Sequence, residues 1–549
     1  GGMMKALFSA MPSHLQPAAG MPAMPRIQFS PAKLQAIQQQ YQQAVMDLWN
    51  QAMLGKTAAK DKRFQSEAWS RNPMAGFAAA QYLLQARTLA SLVDAVEGDE
   101  KTRARLRFAV EQWNAASAPS NFLALNAEAQ QRAIETKGES IAKGLQNLLG
   151  DLRQGHVSMT DESQFEVGRN VATSQGAVVF ENELFQLIEY KPLTAKVYER
   201  PFLLVPPCIN KFYILDLAPQ SSFVRYCVAA GHTVFMVSWR NPGAGQAHLG
   251  WDDYLRMGVV EAIAAVRSIC GSPAINALGF CVGGTILASA LAALTARGEE
   301  PVASLTLLAT LLDFSDVGSI GVYIDAATVA QREALLAKGG LVGGRELMAA
   351  FASLRPRDLI WNSATESYLM GRAPQPFDLL YWNADSTNLP GPMYCHYLRS
   401  MYLENRLREP GGISALGESV DLRRLKMPAY VLATREDHIV PWRSAFATSH
   451  LVGGPVRFAL GASGHIAGIV NPAHRRRRSY WASAGRRLPA SAEDWLAAAD
   501  EVPGSWWNDW ARWSKSHLGR SVAAPRTAGN AKYKPLGPAP GEYVKVRVS

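Results

Sequence analysis

The sequence predicts an α/β fold: a doubly wound, mostly parallel sheet, preceded by a helical N-terminal domain and interrupted by an inserted subdomain. Three observations carry this. From about residue 177 onward, short apolar runs alternate with helical segments. Before that, apolar residues recur at spacings of three and four, with no strand signal among them. The alternation lapses between Asp313 and about Leu425, where aromatic residues accumulate without a clear strand. Parallel strands covered by helices on both faces read as continuous apolar runs. Their alternation with helices marks a doubly wound sheet.

Composition bounds the possibilities. At roughly 150 residues per domain, 549 residues suggest two to four domains. A content of 48% hydrophobic and 19% charged residues is that of a globular protein. No apolar run reaches the ~18 residues that a membrane span needs, and Gly1 to Phe8 does not read as a signal peptide. Five cysteines (Cys208, Cys227, Cys270, Cys281, Cys395) contain no CxxC. That argues against a disulfide scaffold or a metal site and fits a reducing cytoplasm. A net charge of +10 suits nucleic acid, a membrane surface or an anionic small substrate. The basic residues are dispersed and no nucleic-acid module is recognisable, so no nucleic-acid partner is expected. The exception is Arg475-Arg476-Arg477-Arg478, which reads either as a solvated loop or as a contact for a phosphate-rich substrate or a polyanionic partner.

In chain order, residues 1–30 are rich in Pro, Met and Ala and are expected to be mobile. Ser30-Pro31 reads as an N-cap followed by proline at the first helical position. Leu34, Ile37, Tyr41, Val45, Leu48 and Ala52 then share one helical face. That face either packs within its own domain or docks a partner or an apolar product surface. Gln81–Val96 and Lys101–Ala115 are the clearest of the following helices, giving a helical domain over 31–170. Over 171–549 the apolar runs Ala177–Phe180 and Leu184–Tyr190 read as paired strands. Phe202–Val205, Thr233–Val237, Ile275–Leu278, Ser304–Leu308, Tyr430–Ala433 and Val456–Leu460 read as buried parallel strands. Residues 313–425 are expected to form an inserted cap, or lid, over the active site. Trp506, Trp507, Trp510 and Trp513 are expected to pack a helix. Tyr543 to Val548 alternates like an edge strand.

The chemistry concentrates at Gly279-Phe280-Cys281-Val282-Gly283-Gly284, between the Ile275–Leu278 run and a helical segment. G-x-C-x-G in a strand–turn–helix context is the nucleophile elbow of α/β-hydrolases with cysteine in place of serine. A turn this sharp needs neighbours without bulk. The plainer alternative is a Gly-rich turn holding an inert buried cysteine. The chain supplies an acid and a base in the order such sites use. Asp437 follows the Tyr430–Ala433 run and His465 follows the Val456–Leu460 run, each in a polar loop at a strand end. His465 would take the Cys281 proton, and Asp437 would orient and stabilise His465. Glu436 is a rival acid and His438 an alternative base or a structural histidine. Backbone N–H groups of Val282 and Ile209 are the candidate oxyanion hole. Cys208 is the other cysteine near the expected site. A cysteine nucleophile keeps an acyl group activated as a thioester, which favours acyl transfer from a thioester such as an acyl-CoA.

These stretches resemble those of class I polyhydroxyalkanoate synthases. The resemblance runs from about residue 60 to the C-terminus. Among others it rests on Pro119-Ser120-Asn121-Phe122-Leu123, Pro206-Pro207-Cys208-Ile209-Asn210-Lys211, Ser238-Trp239-Arg240-Asn241-Pro242, the elbow itself, Arg435 to Trp442, and Gly461 to Gly468. It implies a cytoplasmic enzyme, associated with polyester granules and granule-associated proteins, that polymerises short-chain (R)-3-hydroxyacyl-CoA with release of CoA. It implies a homodimer, and no cofactor beyond the CoA of the substrate. By position it makes Cys281 the nucleophile, His465 the base and Asp437 the acid, with two roles open for Asp437: orienting His465, or activating the hydroxyl of the hydroxyacyl unit. An ordinary Cys-type hydrolase or acyltransferase on the same fold, and a granule scaffold with a relic fold, are the competing readings.

Overall fold

The computed structural model describes residues 27–55, 59–483, 485 and 487–548. They fall into two compact units, one running to Asp161 together with Ala350–Pro376, the other comprising Glu162–Ala349 and Phe377 onward. The expected mobility of residues 1–30 lies mostly outside the described residues. Within them, Gln28–Phe29 pairs antiparallel with Val96–Glu97.

The first unit is built from helices α1 (Pro31–Met53), α2 (Pro73–Asp94), α3 (Glu100–Ala116), α4 (Ala127–Glu135) and α5 (Glu139–Gln154). Their starts are written locally. Pro31 and Pro73 occupy first helical positions, and the side chains of Asn72, Asp99 and Asn126 accept backbone N–H groups of the first turn. The face of α1 that carries Leu34, Ile37, Tyr41, Val45 and Leu48 is half-buried, and Trp49 meets Phe77 of α2 at a ring distance of 5.1 Å. Within the insertion expected over 313–425, residues 350–376 pack with this helical unit and the remainder with the sheet. Helical periodicity shows that a segment has an apolar face, not which body receives it.

The second unit holds an eleven-stranded sheet. Its strands are β1 (Gly176–Glu181), β2 (Phe185–Tyr190), β3 (Phe202–Val205), β4 (Val234–Trp239), β5 (Ile275–Phe280), β6 (Val302–Leu308), β7 (Ala429–Thr434), β8 (Val456–Gly461), β9 (Ser479–Ala482), β10 (Asp500–Pro503) and β11 (Gly537–Pro538). The spatial order is β10-β9-β8-β7-β6-β5-β3-β4-β2-β1-β11. From β4 to β8 the pairs are parallel, and β1, β2 and β9–β11 pair antiparallel. This is an α/β-hydrolase fold, with β3 and β4 exchanged in order and β2 reversed. Every residue of β2 to β5 and of β7 is buried, which explains their largely apolar runs, although β2 also buries Gln186 and Glu189. Helix α6 (Val282–Ala296) follows β5, and residues Val282 to Leu294 in it are all buried.

Two expectations differ from the structure. Strands β9 and β10 fall where no strand was expected. They are short and partly exposed, with β10 at the edge of the sheet and β9 next to it, so they lack the apolar run that marks the central ones. The alternating Tyr543–Val548 stretch is not a strand; Tyr543–Lys545 is a 3₁₀ turn with Tyr543 and Val544 both buried. Side chains rather than a strand take its backbone groups. The Gln186 amide oxygen accepts the N–H groups of Glu542 and Tyr543 at 2.9 and 3.1 Å, and the Lys211 ammonium donates to the Val546 carbonyl. The tryptophan segment is helix α7 (Trp506–Ser514), with Trp506, Trp507 and Trp510 buried against the sheet unit's core. No described helix is long and apolar enough to cross a membrane.

Candidate active site

Cys281 stands between the end of β5 and the start of α6, at φ +53° and ψ −129°. A non-glycine residue there costs about 1–3 kcal/mol, which surrounding structure must impose. The glycines permit that surrounding. A Cβ on Gly279 would lie 2.4 Å from the Gly284 Cα, one on Gly283 would lie 2.4 Å from the carbonyl oxygens of Val205 and Pro206, and one on Gly284 would lie 2.1 Å from Thr310 Oγ1. The Cys281 N–H donates to the Leu308 carbonyl at 2.9 Å, fixing the turn to β6. Val282 begins α6, so its N–H has no partner within the helix and points from the end favourable to negative charge.

The structure brings His465 and Asp437 to this cysteine. His465 begins the short helix His465–Ile469 just beyond β8 and is buried. Its ring neighbours the Cys281 thiol on one side, and its Nδ1 lies 2.6 Å from Asp437 Oδ2 on the other. Phe280 packs beside the ring at 5.6 Å. Asp437, buried in the loop after β7, also accepts N–H groups of Ile439 and Val440 on Oδ1, at 2.9 and 2.8 Å. The Thr434 hydroxyl donates to Oδ2 at 3.2 Å. Burial raises the Asp437 carboxyl, but the His465 charge and these hydrogen bonds outweigh it and hold it below the usual carboxylate value. Burial likewise lowers His465, yet Asp437 and Cys281 together push it up to about 10.

The other expected residues fall around this core. Glu436 is exposed in the acid loop, its N–H on the Ser463 carbonyl at 3.0 Å. His438 is half-buried one residue beyond Asp437, and its carbonyl accepts the Ser319 N–H at 2.8 Å. Ile209 sits in the loop after β3. Thr387 pins that loop, its N–H donating to the Ile209 carbonyl at 2.8 Å and its hydroxyl to the Cys208 carbonyl at 2.5 Å. Trp239 Nε1 donates to the Pro206 carbonyl at 2.9 Å. Cys208 is buried, and burial, followed by the charge of Cys281, keeps its thiol well above the ordinary value.

Sequence reasoning did not single out several residues here. Burial raises the Tyr397 and Tyr402 phenols, followed by the neighbouring Tyr402 and then Cys281 for Tyr397, and by Cys281 for Tyr402. They pack edge to face at 5.1 Å, with Phe314 against both. Below the Ile209 loop, Lys211 is buried, and desolvation ahead of all else lowers its ammonium to about 8. The Tyr213 hydroxyl donates to Asp385 Oδ2 at 2.9 Å. Arg547 lies 3.8 Å from the other Asp385 oxygen and 2.8 Å from Glu162. The C-terminal turn, the loop after β3 and the Asp385–Thr387 segment are thus tied into one buried network. Its members lie far apart in sequence, so no spacing announces it.

Two family models match the chain. One, described as the N-terminus of poly-beta-hydroxybutyrate polymerase, covers residues 60–227, and the other, described as the alpha/beta hydrolase fold, covers residues 201–472. The chain is 53% identical to the poly(3-hydroxyalkanoate) polymerase subunit PhaC of Cupriavidus necator, over 96% of this chain and 91% of that protein. It is 40% identical to the protein of the same name from Rhizobium etli, over 89% of this chain and 77% of that one. A poly(3-hydroxyalkanoate) polymerase of Methylorubrum extorquens is 41% identical, over 89% and 81%.

Proposed function

The chain belongs to the poly(3-hydroxyalkanoate) polymerase family, and from that premise we propose that it polymerises short-chain (R)-3-hydroxyacyl-CoA through a thioester on Cys281. It is an acyltransferase of the α/β-hydrolase fold. In the proposed reaction the Cys281 sulfur attacks the thioester carbonyl as His465 takes its proton. The oxyanion forms against the N–H groups of Val282 and Ile209, and the bond to CoA sulfur breaks. CoA leaves as the thiol, with the proton His465 had taken. Exchanging one thioester for another keeps the acyl group activated. A hydroxyl of a hydroxyacyl unit then attacks an acyl thioester, losing its proton to His465; the acyl C–S bond breaks, its sulfur leaves as a thiol carrying that proton, and the new ester lengthens the chain by one unit.

The observation that carries this reading is the strained cysteine beside an imidazole that a buried carboxylate holds at 2.6 Å. The same geometry favours one of the two roles open for Asp437. Its Oδ1 is taken by two backbone N–H groups and its Oδ2 by His465 and Thr434, and its carboxyl is held below the usual value. Such a group is a poor base, so Asp437 orients His465 and stabilises the imidazolium. The remaining residues of 313–425, with Tyr397 and Tyr402 beside Cys281, serve as the cap of the site. On the same reading the protein works as a homodimer at the surface of a cytoplasmic polyester granule.

The test is to give purified protein 3-hydroxybutyryl-CoA and follow thiol release and product size. Release of CoA with accumulation of polyester is expected. Release with only soluble monomeric 3-hydroxybutyrate would replace the polymerase with a hydrolase.

A further inference from the structure

The chain that follows His465 carries four consecutive arginines, Arg475 to Arg478, which the proposed chemistry leaves unused. Their position is set by the sheet. The excursion leaves at the end of β8 and returns at Ser479, the first residue of β9. There the Ala462 N–H donates to the Ser479 carbonyl at 3.0 Å and Gly461 pairs with Tyr480. The whole loop therefore stays at the end of the sheet that bears Cys281, Asp437 and His465.

Two of the guanidinium groups hold the loop down. Arg478 donates to the carbonyl of Ala467, two residues past His465, and Arg475 donates to Ser221 Oγ at 3.3 Å. Arg476, at φ +46°, and Arg477 are exposed. Among the described residues none of the four forms an ion pair. The carboxylates within electrostatic reach are Asp378 for Arg475 and Glu436 for Arg478. Burial, and then the like charge of Arg475, makes the Arg478 cation less favourable than usual. Four like charges in one loop repel one another, and a multiply charged anion relieves that repulsion. Guanidinium groups also suit phosphate oxygens through paired, charge-assisted hydrogen bonds.

We propose that the Arg475–Arg478 loop binds the nucleotide phosphates of the coenzyme A thioester, with the pantetheine arm reaching from there to Cys281. This rests on the acyl-CoA reading above and assigns that substrate's anionic half a site. Arg476 and Arg477 make the phosphate contacts, while Arg475 and Arg478 shape the loop.

The test uses the exposed pair, so that folding is left alone. An Arg476→Ser/Arg477→Ser variant is assayed with 3-hydroxybutyryl-CoA and with the N-acetylcysteamine thioester of the same acid, which has no phosphate. KM for the CoA thioester should rise about tenfold, the loss of roughly one charge-assisted contact, with kcat nearly unchanged and the N-acetylcysteamine thioester unaffected. Equal changes for both thioesters, or none, would overturn the proposal. Calorimetry of CoA binding to Cys281→Ala protein, with and without the two serines, gives a second readout that needs no turnover. Affinity about tenfold weaker is expected, with 3′-dephospho-CoA losing less. Undiminished CoA binding overturns the phosphate site even if the polymerase reading stands. Failure of the unaltered protein to release CoA overturns the polymerase reading while calorimetry still decides the phosphate site.

Discussion

His465 is held between a carboxylate and a thiol in a place where burial alone would keep it neutral. Asp437→Asn keeps the shape and removes the charge. It should lower kcat by roughly 10⁴-fold, the cost of losing the orienting carboxylate in comparable triads, with the His465 titration falling from about 10 toward or below its ordinary 6.5. The pair also links stability to pH. His465 is raised on folding, so its contribution is fully present below pH 6.5 and is lost as pH rises through about 10. Asp437 is lowered, so its contribution is present above the ordinary carboxylate value of 3.8 and lost as pH falls through its depressed value. The Tm difference between the unaltered protein and Asp437→Asn should therefore be largest between about pH 4 and 6.5 and shrink toward pH 10. A difference that is flat with pH would mean that the carboxylate only fills space. Cys281, Asp437 and His465 were legible because each lies in a strand-end loop with its own local signature. Tyr397, Tyr402, Lys211 and Asp385 were not, since only the tertiary fold brings them to the site.

At the scale of elements, the elbow depends on backbone contact that no side chain can soften. Gly283→Ala would put a methyl against the Val205 and Pro206 carbonyl oxygens, and neither can rotate away. A destabilisation of about 1–3 kcal/mol is expected by denaturant titration, together with reduced Cys281 reactivity, because those oxygens belong to the strand and loop leading to Ile209. A silent substitution would show that β3 and α6 do not need this close approach. The central strands were legible from their apolar runs, since burial on both faces leaves little else in the sequence. The outer strands β9 and β10 and the C-terminal turn were not. Exposed, short strands carry weak patterns, and the alternation over Tyr543–Val548 was overridden by hydrogen bonds from Gln186 and Lys211.

At the scale of the whole molecule, two dissimilar bodies were legible as a change from helical spacing to alternating strand and helix. The division of 313–425 was not, because the packing of 350–376 with the helical unit depends on a partner surface far away in sequence. The account's central claim is that Cys281 tethers the product, and intact-protein mass spectrometry after brief mixing with 3-hydroxybutyryl-CoA tests it most directly. The account predicts mass increments of one or more hydroxybutyryl units, located on the peptide containing Cys281 and absent from Cys281→Ala. An adduct on Cys208 or elsewhere, or polymer formed by Cys281→Ala, would contradict it.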